Sequence, residues 1–309
     1  MRILLVGCSG FVGRALVPGL LEAGHSLTLV SRAAQPLPGV QHPQLQRLQA
    51  DPANPAHWER PELQQALAQA QAVVNLAGEP IAEKRWTPQH LRLLNSSRID
   101  TTRALVAAMA ALPEGQRPGV LINGSAIGYY GTSSSQEFTE TSPAGTDVLG
   151  RLCVAWEQEA HGAEALCRVV ILRIGIVLGG DGGALGKMLP VFRMGFGGPI
   201  GDGQQWMSWI SRSDLCQLIG AALVDDAYSG VYNAVAPQPC SMAVFAAALG
   251  RCLGRPSLLP VPGPILQLLL GDGAKVVLEG QKVLPQRLQQ QGFAFRYGEL
   301  SAALASATN

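Results

Sequence analysis

Charge is scarce in this chain of 309 residues. Lys, Arg, Asp and Glu make up 15% of it and nearly cancel, leaving a formal net charge of +1 at pH 7. With no basic run or stripe, nucleic acid is excluded as an expected partner. Cysteine patterning is equally sparse. Cys8, Cys153, Cys167, Cys216, Cys240 and Cys252 form no CxxC pair and stand mostly among apolar neighbours. They read as reduced core residues of a cytosolic-type protein. The 5 histidines show no ligand spacing, so no metal site is expected. The longest late apolar stretch, 261–270, is broken by Pro262 and Pro264 and is too short to cross a bilayer. The chain opens on an apolar segment with no room for a cleaved signal, so a cytoplasmic location without a membrane partner is expected.

Apolar residues, by contrast, make up 47% of the chain, enough for a large core. The opening segment, MRILLVGCSGFVGRALVPGLLEAG, carries the most information. Residues 2–7 are a continuous apolar run, as in a strand buried on both faces of a parallel sheet. Gly7, Gly10 and Gly13 follow at intervals of three, and an amphipathic helix containing Pro18 comes next. Gly7 permits a tight turn, Gly10 lets backbone approach a phosphate, and Gly13 lets the helix pack on the strand. The first-turn N–H groups and the helix dipole then favour an anion. A purely structural turn is the alternative, but strand–turn–helix is the context this motif requires. Ser9, Phe11 and Val12 complete the turn.

Strand and helix patterns alternate beyond it. Strands are expected at 26–31, 45–49, 72–77, 120–125 and 169–174, with helices at 62–70, 89–112 and 152–165. Thr87-Pro88 supplies a cap and first-turn pair for the second helix. Pro36, Pro38 and Pro43 argue against a crossover helix between the second and third strands. Alternation of this kind implies an α/β fold, a doubly wound parallel sheet of Rossmann type with a smaller C-terminal cap. The expected division is 1–178 with 211–234 for dinucleotide binding, and 179–210 with 235–309 for the cap.

Ser31 and Arg32 end the second strand, where such a fold meets the adenosine ribose. An acid there would accept from the ribose 2′-hydroxyl, whereas Arg32 offers a cationic fork suited to a 2′-phosphate. NADP(H) is therefore expected over NAD(H). A solvated arginine at a strand end is the plain alternative.

At this point the chain resembles the short-chain dehydrogenase/reductase superfamily, and within it the atypical epimerase-family proteins sometimes labelled cell-division inhibitor relatives. The matching segments are GCSGFVG at 7–13, NLAGEPI at 75–81, KRW at 84–86, GSAIGYYG at 124–131, LRIGIVLG at 172–179, the stretch 183–190, GGPIGDG at 197–203 and GFAF at 292–295. In order, they span nearly the whole chain. The resemblance implies a bound nicotinamide dinucleotide. It matches Asp51 to a carboxylate near the adenine and Leu76, Ala77 and Gly78 to backbone along the cofactor. Ser125 matches the serine that polarises a substrate oxygen, and Ile176 a backbone position near the nicotinamide carboxamide.

The departures carry equal weight. In these reductases a tyrosine with a lysine four residues later does the acid–base work. No tyrosine here has that lysine; the resemblance aligns Asp147 and Arg151 with the pair. Arg151 keeps a positive charge for the cofactor ribose. Tyr129 and Tyr130 are the phenols near the expected site, with core or stacking roles as the alternative. Relatives carry a histidine where this chain has Ser211. Glu79, Lys84 and Arg85, just past the fourth strand, and Trp209, with Trp206 nearby, are candidates for substrate contact, against solvated-loop and core readings. A hydrolase reading of Ser125 fails, since no glycine stands two residues before it and no histidine completes a triad. Two functions stay open: an NADP(H)-dependent oxidoreductase or epimerase acting on a small polar molecule, such as a sugar nucleotide, or a non-catalytic NADP(H)-binding regulator, for example in cell or plastid division.

Overall fold

A computed structural model describes residues 1–33 and 37–308. Its frame is a seven-stranded sheet: β1 (Arg2–Val6), β2 (Ser26–Ser31), β3 (Leu45–Gln49), β4 (Ala72–Asn75), β5 (Val120–Ala126), β6 (Arg168–Ile174) and β7 (Gly230–Ala234). All neighbours pair in parallel, in the order β3-β2-β1-β4-β5-β6-β7. The order reverses between β1 and β4, so the crevice at their C-terminal ends is the place where a doubly wound sheet takes its ligand. The expected α/β doubly wound architecture is thus present.

Alternation along β1 explains why helices cover both faces. Ile3 and Leu5 pack with Leu16, Val17 and Leu20 of α1 (Gly13–Glu22) and with Leu215, Leu218 and Ile219 of the helix Arg212–Val224. Leu4 and Val6 point the other way, toward Leu63 and Leu67 of α2 (Pro61–Gln69) and Leu105 and Met109 of the helix Thr101–Ala111. Strands buried on both faces need apolar residues at every position, hence the continuous runs. A further core holds Leu185, Leu189, Phe192, Trp209, Phe245, Leu249 and Leu304, all from segments at or after 185.

Two expected helices differ in detail. The segment 89–112 is helical from Pro88, and Thr87 caps it as expected by accepting from the His90 N–H at 3.1 Å. It is not uniform, however. Ser96–Asp100 forms a π-helical turn between Pro88–Asn95 and Thr101–Ala111. The helix expected at 152–165 runs instead over Val148–His161, because Asp147 Oδ1 accepts from the Gly150 N–H at 2.7 Å and fixes an earlier start. α1 continues through Pro18. Between β2 and β3 the described residues form no helix, and Pro36 lies outside them. No helix among the described residues is long and apolar enough to cross a membrane.

Candidate functional site

The glycine turn shows three separate physical demands. Gly7 has φ +73°, and a Cβ there would stand 2.3 Å from Ala77 backbone, across the β1–β4 switch. At Gly13 a Cβ would stand 1.8 Å from the Cys8 carbonyl oxygen, so only glycine lets α1 sit this close. Gly10 differs from both: a Cβ would meet nothing within 4 Å. Its bare backbone therefore borders open space, as a cradle for a pyrophosphate requires. Among the described residues no backbone carbonyl accepts from the N–H groups of Phe11, Val12 or Gly13, which leaves them available to an anion. Ser9 is exposed at the rim of the turn. The Phe11 ring points away, packing against Gly182 and Gly183 and under the Arg212 guanidinium at 4.7 Å. Phe11 can serve a ligand only through its backbone. Cys8 is buried in the turn, and burial pushes its thiol up to about 12, so it stays an inert thiol. The residues present thus fit a dinucleotide.

Past β2, the Arg32 side chain is 60% exposed, and its Nη2 lies 4.0 Å from Glu79 Oε2. A carboxylate therefore does stand near Arg32, and it is shared: Lys84 Nζ donates to Glu79 Oε1 at 3.0 Å. Glu79 and Lys84, expected at the substrate, are tied to the Arg32 end of the cleft. Arg85 packs against Gly271. Asp51 follows β3, its Oδ1 accepting from the Ala53 N–H at 3.2 Å. Leu76–Gly78 leave β4 held by Asn75, whose Oδ1 accepts from the Ala77 N–H at 3.2 Å and whose Nδ2 donates to Thr102 Oγ1 and Asn123 Oδ1.

Beyond the far end of β5 and β6 lies a cavity of about 380 Å³. Ile176 and Asp147 line it, as do Ile127, Leu149, Arg98 and the indoles of Trp86, Trp156 and Trp206. The expected catalytic trio is absent from its lining among the described residues. Ser125 is 3% exposed, and its hydroxyl donates to Glu157 Oε1 at 2.6 Å. The Tyr130 hydroxyl donates to Asn233 Oδ1 at 2.6 Å and accepts from Arg173 Nη1 at 2.9 Å. Burial pushes that phenol up to about 12, although Arg173 opposes the shift, so it moves away from the range a neutral-pH acid–base group needs. The Tyr129 ring lies on the Arg173 guanidinium at 3.3 Å. All three belong to a buried network around the Arg173–Glu157 ion pair, at 2.8 Å. Burial alone would lower Arg173, but hydrogen bonding and charge from Glu157 raise it, so the cation is firmly held. Trp209, fully buried, is core rather than substrate wall, with its indole N–H spent on the Gln238 carbonyl at 3.1 Å. Trp206 takes the wall position. Ser211 caps the helix Arg212–Val224, accepting from the Asp214 N–H at 2.9 Å. Arg151 is exposed, and its guanidinium donates to the Thr146 carbonyl.

Arg98 and Trp156 escaped the sequence reading, and Trp86 entered it only as part of the KRW motif, without a role. The hint to Arg98 was the polar SSRIDTTR before the apolar half of the helix, and the π-turn that re-aims Arg98 leaves no mark in residue spacing.

Comparison with known proteins agrees with the fold. The model of the NAD dependent epimerase/dehydratase family matches residues 3–234, and a domain of unknown function, DUF1731, matches 261–307. An Arabidopsis thaliana protein, the chloroplastic homolog of epimerase family protein SDR39U1, is 43% identical over 98% of this chain and 86% of its own length. The crystal structure of human SDR39U1 (isoform 2) with NADPH is 36% identical, covering 100% of this chain and 99% of that one at a TM-score of 0.88. The UDP-glucose 4-epimerase of Thermus thermophilus, solved with NAD, shares the fold at a TM-score of 0.77 and 18% identity, covering 99% of this chain and 98% of that one. The chain belongs to the NAD dependent epimerase/dehydratase family.

Proposed function

We propose that this chain is an NADP(H)-dependent oxidoreductase acting on a small molecule held in the cavity beside Ile176. The observation that carries the reading is the open cradle at Gly10 beside the β1–β4 switch, with Arg32 past the end of β2 and the cavity past the ends of β5 and β6. The human relative solved with NADPH supports the choice of cofactor. Gly7, Gly10 and the first-turn N–H groups of α1 would hold the pyrophosphate, and Arg32 the 2′-phosphate. The segments 179–210 and 235–309 would form the cap over the substrate. When bound, the nicotinamide supplies or accepts a hydride. The protein then binds and orients: apolar walls exclude water, and Asp147 stands at the cavity edge as the cap of the helix Val148–His161. Six free thiols fit a reducing compartment.

The commitment of Ser125 and Tyr130 to a buried network favours a second reading, a binding protein without turnover. Loss of reduced-nicotinamide absorbance separates the two. With NADPH-loaded protein, a panel of carbonyl and conjugated acceptors is expected to include some that speed NADPH oxidation above the protein-free rate. A panel that leaves NADPH untouched while it remains tightly bound would establish the binding protein.

A further inference from the structure

We infer that the cavity takes a flat, largely apolar molecule bearing one anionic group, and that Arg98 reads that group. This rests on the proposal that the cavity is the substrate site. The first argument is what the tryptophans have left to offer. Trp86 Nε1 donates to the Ile81 carbonyl at 2.8 Å, Trp156 Nε1 to Thr102 Oγ1 at 3.0 Å, and Trp206 Nε1 to the Ser134 carbonyl at 2.9 Å. Each indole has spent its polar handle inside the protein and presents only ring surface to the cavity. The polar neighbours Gln281 and Ser208 are similarly engaged, while Asp272, Lys275 and Glu279 stand exposed at the mouth. The Gln281 amide donates to the Ile127 carbonyl, and the Ser208 hydroxyl donates to the Gln281 carbonyl. A hydroxyl-rich sugar would lose its water here and find few free partners, whereas an aromatic or conjugated plane would stack.

The second argument is the charge of Arg98. It is 8% exposed and lines the cavity, carried there by the π-helical turn. Its Nη1 and Nη2 donate to the backbone carbonyls of Leu94 and Glu79 at 3.2 and 2.9 Å. Among the described residues no carboxylate oxygen lies within ion-pair distance of it, since the Glu79 carboxylate faces Arg32 and Lys84 instead. A buried guanidinium has five N–H donors and stays charged, so the groups left over by the two carbonyls await an acceptor. Trp156 lies against its face at 5.4 Å and holds the fork in place. The free partner it fits is a carboxylate or a similar anion on a planar ligand.

The probe pair is 2-naphthoate and its uncharged isostere 2-naphthamide, titrated by calorimetry into protein saturated with NADP⁺. Naphthoate is expected to bind at least tenfold more tightly. Arg98→Met should bring the two within about twofold while NADP⁺ affinity is unchanged, and Lys275→Gln, on the exposed rim, should keep the preference. Equal affinities in the unmodified protein, failure of both probes to bind, or loss of the preference in Lys275→Gln alone would each overturn the inference. If Arg98→Met does not fold, the co-crystal structure with naphthoate decides: a carboxylate on Arg98 supports the inference, and one facing Lys275 or solvent removes it. These failures leave NADP⁺ binding intact, whereas failure of the oxidoreductase reading appears in the NADP⁺ titration itself or in the acceptor panel.

Discussion

Ser125 shows how one side chain's partners decide its role. Its hydroxyl is buried and donates to Glu157, which is itself ion-paired with Arg173 on β6. A serine that polarises a substrate must present its hydroxyl to open space, and this one is engaged on the opposite side. Ser125→Ala is therefore expected to act on stability. Removing a donor from a buried carboxylate costs about 1.5–3 kcal/mol, readable as a lower urea midpoint at an unchanged slope. NADPH binding should remain as before. A stable variant with impaired binding or turnover would return Ser125 to the chemistry. The same comparison separates Trp209 from Trp206: three residues apart in a strand-rich segment, one faces the core and the other the cavity.

At the scale of elements, the glycine turn and the helix start after it behave as the sequence implies. Gly10→Val is expected to abolish dinucleotide binding while leaving the melting temperature within a few degrees, because the branches enter ligand space rather than protein. Circular dichroism and calorimetry on the same sample test this; retained NADPH affinity in the folded variant would make the turn purely structural. Six of the seven sheet strands and the longer helices before residue 162 were legible because burial on both sheet faces leaves continuous apolar runs, and because Thr87-Pro88 marks a helix start chemically. Gly230–Ala234 and the helices after Gly182 were not anticipated. The candidate cofactor turn was legible for the same reason, since its glycines are local requirements. The cavity was not. Its walls come from Trp86, Trp156 and Trp206, far apart in sequence, and from a π-turn that shifts Arg98 without altering any motif. Nor does the phrase GSAIGYYG reveal that its serine and second tyrosine turn inward, since that depends on Glu157 and Arg173, supplied by other elements.

For the whole molecule, the sheet places the cradle after β1, Arg32 after β2 and the cavity past β5 and β6, all at the C-terminal ends of parallel strands, so a dinucleotide lying across the β1–β4 switch would link cofactor choice to substrate chemistry. A ligand that bridges β1, β2, β4 and β6 also ties the fold together, in proportion to its affinity. The selectivity of that binding is the central claim, because it depends on Arg32 outcompeting its contact with Glu79 for a 2′-phosphate. Isothermal titration of NADPH and NADH into the purified protein measures it directly. NADPH is expected to bind at least tenfold more tightly, a difference of about 1.4 kcal/mol or more, and Arg32→Asp should reverse the order. Equal affinities for the two cofactors, or a preference that survives Arg32→Asp, would contradict it.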